Sequence, residues 1–131
     1  MPFIRTAVHR DTPPAQREAI VMGIHHALVE AIGMPEDELF NLVSEHDPAQ
    51  FFCSRSFNGI SRSERVVVIE ITLRRGRSDA MKRTLYASIA ARLQAAGVAQ
   101  QDVFIFMHEN DHSDWSVGNG RFAMELQQQR G

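Results

Sequence analysis

Residue 2 of this sequence is a proline, and its nitrogen could act as an acid or base. An initiator methionine before so small a residue is usually removed, so we expect Pro2 to carry a free secondary amine. An amino-terminal amine titrates near about pH 8 in model peptides, and neighbouring cations disfavour its charged form. The uncharged amine could take a proton from a carbon beside a carbonyl, and the charged amine could polarise a carbonyl or protonate a developing carbanion.

An arginine-rich turn, Arg74-Arg75-Gly76-Arg77, supplies groups that would complement this amine. Arg75 and Arg77 flank one glycine, so in extended geometry their side chains project to the same side. Two guanidinium groups on one side could bind a substrate carboxylate and stabilise an enolate. In a β-oxo acid, the same pair would position the carboxylate that is lost as CO2. These residues predict a site for a small oxo acid.

Other reactive side chains are scarce. Lys82 is the only lysine, and the other 13 basic residues are arginines, so few amines are available for Schiff-base chemistry. Cys53 is the only cysteine, which excludes an internal disulfide and favours a reducing compartment. His25 and His26 would face different directions on a helix, and no HExxH pattern occurs. We predict a cytoplasmic protein without a metal site.

Length and charge narrow the class of protein. The 131 residues, of which 44% are hydrophobic, predict one soluble domain spanning 1–131. Fourteen Lys and Arg residues against 16 Asp and Glu residues give a net charge of -2, which disfavours nucleic-acid binding. No apolar run approaches the roughly 20 residues of a membrane helix. We therefore expect neither a nucleic-acid partner nor a membrane partner.

Hydrophobic periodicity predicts the order strand, helix, strand, which then occurs a second time. The predicted strands are 2–9, 39–43, 65–73 and 103–107. The first predicted helix starts at Pro13, with Thr12 as its N-cap, and stops at Gly33; the second is capped by Ser78 and stops at Gly97. The remaining segments are predicted as a weaker extended stretch at 49–56, a polar loop at 109–120 and a short helix or extended arm from Phe122.

The two strand-helix-strand units are related by a shift of 64 positions. The turn 33–35 matches the turn 97–99 with this shift (97 minus 33), and Pro2 aligns with Val66. The constant shift predicts an internal duplication.

The duplication predicts an α+β fold. Units 2–46 and 66–110 would form a four-stranded sheet with two helices on one face, followed by a C-terminal arm, 111–131. The opposite face of the sheet would be apolar and uncovered, which predicts packing against another subunit.

The stretch from Leu73 to Lys82 resembles the arginine-bearing turn and helix start of the tautomerase superfamily, whose founding member is 4-oxalocrotonate tautomerase. Pro2 and the duplicated βαβ layout agree with that resemblance. The double-length chain, the Gly33-Met34-Pro35 turn followed by acidic residues, the Arg75-Gly76-Arg77 pair and the loop 109–121 are most similar to the malonate semialdehyde decarboxylase family. The resemblance extends over nearly the whole chain.

The resemblance implies a cofactor-independent homotrimer with a catalytic amino-terminal proline, two arginines that hold the substrate carboxylate and one assisting acid. By position these residues are Pro2, Arg75, Arg77 and Glu38, with Asp37 as the neighbour that could replace Glu38. Trp115 would form an apolar wall of the substrate pocket. Glu38 is longer than the family's aspartate and Val117 replaces an aromatic residue, which leaves the substrate open.

Two classes of function are compatible with this sequence. The first is an enzyme that decarboxylates a β-oxo acid such as malonate semialdehyde, or interconverts the enol and keto forms of a 2-oxo acid. The second is a catalytically silent trimeric module that binds a small carboxylate or a partner through the same pocket. The amino terminus separates the two classes, because a retained Met1 would convert the Pro2 nitrogen into a non-basic amide.

Overall fold

A computed structural model describes residues 2–129, which form a four-stranded sheet with two helices on one face. The strands are β1 (Phe3–His9), β2 (Asn41–His46), β3 (Val67–Arg74) and β4 (Val103–Asn110), and the helices are α1 (Pro14–Ile32) and α2 (Asp79–Ala95). The strand order is β2-β1-β3-β4. The outer pairs are parallel and the central β1–β3 pair is antiparallel, so the two βαβ units are related by an approximate two-fold axis. The predicted fold class is confirmed.

The hydrophobic core lies between the helices and one face of the sheet. Side chains alternate along β3, so every second residue from Val67 to Leu73 is buried. The helices contribute buried residues at four-residue steps: Ile20, Ile24 and Leu28 from α1, and Leu85, Ile89 and Leu93 from α2. Burial of each such side chain contributes roughly 1.5–3 kcal/mol. This core holds both helices on the same face of the sheet.

The strand register brings four strand ends to one edge of the sheet. Ile4 of β1 is paired with Asn41 of β2 and with Ile71 of β3, and its N–H donates to the carbonyl of Phe40 at 3.0 Å. In the β3–β4 pair, Arg74 at the end of β3 is paired with Asn110 at the end of β4. The segments that precede β1 and β2 therefore meet the segments that follow β3 and β4.

The start of α1 lies one residue beyond its predicted position. Pro13 is the N-cap, with φ -60° and ψ 145°, and the helix begins at Pro14. A proline disfavours helical backbone in the residue before it, so Pro14 excludes Pro13 from the helix. Thr12 is buried, and its N–H donates to the carbonyl of His9 at 3.1 Å. The predicted Thr12 cap is wrong, whereas Ser78 caps α2 by accepting from the Met81 N–H at 3.2 Å.

Several strand limits differ from the predicted ones. β2 runs to His46, because pairing with β1 continues as far as His9 opposite His46. The second half of β2 is polar, as is common in an edge strand. Hydrophobic periodicity alone therefore underestimates the length of this strand. The predicted extended segment 49–56 is wrong at its start, where residues 49 and 50 belong to a 3₁₀ turn, Pro48–Gln50, whereas Phe51 has extended backbone. The Asp47 carboxylate accepts from the Ala49 N–H at 3.0 Å in this turn.

The sheet face opposite the helices carries exposed apolar side chains. Leu42, Phe104 and Phe106 are 55%, 41% and 39% exposed. The imidazole of His108 lies 2.6 Å from the Glu70 carboxylate on the same face. The uncovered apolar face predicted from the sequence is therefore present.

None of the helices within residues 2–129 combines the length and apolarity required to span a membrane.

Candidate active site

Pro2 is buried at the sheet edge where β1 begins. Phe3 pairs with Thr72 and Ile4 pairs with Asn41. Continuing the first register by one residue and the second by two residues places Pro2 beside Leu73 and Leu39. Glu38 precedes Leu39, and the arginine turn follows Leu73. The register therefore places Pro2 between the predicted acid and the predicted arginines.

The arginine turn differs from the extended geometry expected from the sequence. β3 ends at Arg74, and Gly76 has φ +125°, a backbone conformation that side-chain-bearing residues rarely adopt. The chain turns at this glycine, and Arg75 and Arg77 have different hydrogen-bond partners. Arg75 Nε donates to the Asp111 carboxylate at 2.7 Å on the surface, whereas Arg77 Nη1 donates to the Arg74 carbonyl at 2.8 Å. The extended backbone on which that expectation rested is interrupted at Gly76, and the pairing of Arg75 with Arg77 stays a prediction.

The guanidinium of Arg77 is partly shielded from water and lies close to other charges. Burial lowers the pKa of Arg77, the positive charge of Arg74 lowers it further, and the carboxylates of Glu109 and Glu38 raise it. Arginine stays protonated in proteins despite such shifts. Shielding strengthens its hydrogen bonds to an anion, so Arg77 is well suited to bind a substrate carboxylate.

Arg74 is the second arginine of this cluster, and the sequence-based selection of Arg75 did not include it. The side chain of Arg74 is half-buried, and its Nη1 lies 2.9 Å from Nδ1 of His112. The alternation of buried and half-buried residues along β3 could have indicated its orientation, because it places Arg74 on the same face as Glu70 and Thr72. The structure brings Arg74 and Arg77 together and directs Arg75 toward Asp111.

The two candidate acids occupy different environments. Glu38 is half-buried, and its N–H donates to the Pro35 carbonyl at 3.1 Å, which closes a tight turn before β2. The charge of Glu38 raises the pKa of Arg77, so the two side chains are close enough to interact. Asp37 is exposed in the same turn. This arrangement favours Glu38 as the acid that would act together with the arginines.

Trp115 is held at the same sheet edge by the strand it follows. Its indole Nε1–H donates to the Asn110 side-chain oxygen at 2.8 Å, and its carbonyl accepts from the Ala123 N–H at 3.0 Å. Asn110 is paired with Arg74 across the sheet. The half-buried Trp115 is thus attached next to the arginine turn, and its role as a wall of the pocket stays a prediction.

At the opposite edge of the sheet, the positions that correspond to Pro2 and Glu38 in the second repeat hold residues of different chemistry. Val66 aligns with Pro2, and Asp102 aligns with Glu38 through the same shift of 64 (102 minus 38). Asp102 is buried and accepts hydrogen bonds from the Ser63 N–H at 2.7 Å and the Ser63 hydroxyl at 2.6 Å. Because Val66 lies inside the chain and has no free amine, this edge could not carry out the chemistry predicted for Pro2.

Metal and thiol chemistry receive little support from the described residues. Across 2–129, no group of three or more His, Cys, Asp and Glu side chains is arranged to hold a metal ion. Cys53 is half-buried, and burial raises the pKa of its thiol. A raised pKa reduces the thiolate fraction, so Cys53 is a poor nucleophile.

Comparisons with known proteins identify the family of this chain. Two family models described as "Tautomerase enzyme" match residues 38–118 and 2–54. The probable tautomerase YusQ of Bacillus subtilis (strain 168) is 32% identical, with 95% of this chain and 98% of that protein covered.

Two solved structures resemble the fold over almost its full length. The FG41 malonate semialdehyde decarboxylase inhibited by 3-bromopropiolate is 35% identical, with a TM-score of 0.90 over 97% of this chain and 96% of that chain. A symmetric trimer of fused 4-OT is 21% identical, with a TM-score of 0.79 over 95% and 98% of the two chains, a likeness of fold alone. The chain belongs to the tautomerase family and is an enzyme of the isomerase or decarboxylase type.

Proposed function

We propose that this enzyme decarboxylates a small β-oxo acid of the malonate semialdehyde type without a cofactor. The observation that carries the proposal is the cluster of Arg74, Arg77 and Glu38 at the edge where Pro2 lies buried. The similarity to a malonate semialdehyde decarboxylase supports the same choice of substrate.

In the proposed reaction, Arg77 and Arg74 bind the substrate carboxylate and orient the carbon–carbon bond that breaks. The protonated amine of Pro2 polarises the carbonyl oxygen at the other end of the substrate. The electron pair of the breaking bond moves into an enolate as CO2 leaves. Transfer of one proton from the Pro2 amine to carbon then gives the aldehyde, and a proton from water restores the charged amine.

Tautomerisation of a 2-oxo acid is the second candidate, and the family match to tautomerases favours it. This reaction uses the uncharged Pro2 amine to move a proton between oxygen and carbon, while the same arginines bind the carboxylate. Purified enzyme assayed with malonate semialdehyde and with phenylenolpyruvate separates the candidates. Formation of acetaldehyde and CO2 supports decarboxylation, ketone formation alone supports tautomerisation, and turnover of neither substrate contradicts both.

A silent module that binds small carboxylates is the alternative from another class, and intact-mass measurement tests it. Loss of Met1 leaves the basic amine that the proposed reactions need. Retention of Met1 makes the Pro2 nitrogen an amide, which lacks a basic lone pair, and would favour the silent module.

Replacing Glu38 tests the assisting acid. We expect Glu38→Gln to lower kcat/KM by about 10- to 100-fold, because the amide is neutral and cannot exchange a proton. This loss lies at or below the usual rate contribution of an acid–base group. Asp37→Asn is the matched control, since it makes the same chemical change one residue away, and it should stay within about twofold. The rates are compared at saturating and subsaturating substrate. An equal loss in both variants would contradict the assignment of Glu38.

We also propose that the enzyme is a homotrimer that buries the apolar sheet face. The exposed side chains of Leu42, Phe104 and Phe106 support this, and the similar fused 4-OT was solved as a trimer. Phe106→Asp should convert a particle of three times the chain mass into monomers, measured by light scattering. Met81→Asp, which alters an exposed apolar side chain in the first turn of α2, should leave the mass unchanged. A wild-type monomer would contradict the proposal.

A further inference from the structure

His112 lies half-buried in the 3₁₀ turn after β4 and contacts the arginine turn. Its Nδ1 is 2.9 Å from Nη1 of Arg74. A guanidinium has donors and no acceptor, so the imidazole nitrogen must be unprotonated and must accept this hydrogen bond. The contact therefore requires a neutral His112 with its proton on Nε2.

We infer that His112 is a positioning residue that holds the Arg74 guanidinium ready for the substrate carboxylate. This inference rests on the proposed function, in which Arg74 binds that carboxylate. An arginine side chain has many rotamers, and ordering it before the substrate arrives removes part of the entropy loss on binding.

The uncharged partner matters because it leaves the charge of Arg74 available. Arg75 donates to the carboxylate of Asp111, whose negative charge would compete with an anionic substrate. His112 orients Arg74 through a neutral ring nitrogen, so the guanidinium keeps its full attraction for a carboxylate. The two neighbouring arginines thus have opposite kinds of partner, one neutralising and one orienting.

The turn that carries His112 is held firmly enough to set the position of the ring. Asp111 and Asp114 form a capping box around the turn, and the Arg75 N–H donates to the Asn110 carbonyl at 2.8 Å. Partial burial and the charge of Arg74 both lower the pKa of His112. Both shifts favour the neutral ring that the contact requires.

Two substitutions of His112 separate its acceptor atom from its bulk. His112→Leu removes the acceptor, and we expect KM to rise about 3- to 10-fold with kcat within about twofold, as for the loss of one ordered side chain. His112→Asn places Oδ1 at the same number of bonds from Cα as Nδ1, so it should restore KM to within about twofold of wild type. Ser113→Ala, an exposed neighbour in the same turn, is the control and should change neither constant.

Binding of malonate, a dicarboxylate that is not turned over, tests the inference without catalysis. Calorimetry should show the same order: wild type and His112→Asn bind with equal affinity, and His112→Leu binds about 3- to 10-fold more weakly. If the three proteins bind malonate with these relative affinities but wild type converts neither oxo acid, the proposed reactions fail and the role of His112 stands. Equal affinity in wild type and His112→Leu, weak binding by His112→Asn, or no binding by wild type would each overturn the inference.

Discussion

Replacing Pro2 by alanine is expected to lower kcat for the oxo-acid substrate by at least about 100-fold, the lower limit typical of a lost acid–base group. Alanine keeps a terminal amine but loses the ring that fixes the direction of the nitrogen lone pair. Pro2 is buried between the turn that carries Glu38 and the arginine turn, so a displaced nitrogen would be poorly tolerated. The measurement is single-turnover and steady-state kinetics on protein whose amino terminus has been verified by mass.

A proline remote from this edge provides the control for the Pro2 experiment. Pro48 begins the 3₁₀ turn after β2, and Pro48→Ala should leave kcat and KM within about twofold. Comparable thermal unfolding of both variants would show that the loss at Pro2 is chemical. Undiminished turnover by Pro2→Ala would show that the proline ring is not required and would contradict the expected loss.

The second large effect concerns the three arginines, which the structure divides into two groups. We expect Arg77→Ala and Arg74→Ala each to lower kcat/KM by about 10- to 100-fold, as for the loss of one or two hydrogen bonds between charged groups. Arg75→Ala should lower kcat/KM by less than about fivefold, because its guanidinium is exposed to water and already paired with Asp111. The Arg75–Asp111 pair is more than half exposed on both sides.

This series compares the pair predicted from the sequence with the pair assembled by the structure. The sequence-based pair is Arg75 and Arg77, and the structural pair is Arg74 and Arg77. Arg75→Ala is the matched control because it removes the same guanidinium from the adjacent position. A loss at Arg75 as large as that at Arg77, with Arg74→Ala near wild type, would restore the sequence-based pair.

The fold was predictable because its signals are local. Apolar residues at four-residue steps define both helices, and the β-branched run of β3 defines a central strand. The constant shift of 64 positions indicated that these elements form two equivalent units. The element limits were less predictable, since pairing with β1 extends β2 into a polar segment that has no apolar alternation.

The sequence by itself determined that a proline stands at position 2, that an arginine-rich turn follows the central strand and that the two halves repeat. Only the tertiary structure decided which groups act together. The strand register sets Arg75 beside Asp111 and brings Arg74, Arg77 and Glu38 to the edge that contains Pro2. The positive φ of Gly76 turns the chain between Arg75 and Arg77. A turn's dihedral angles and a register between distant strands depend on long-range packing, which spacing along the chain does not encode.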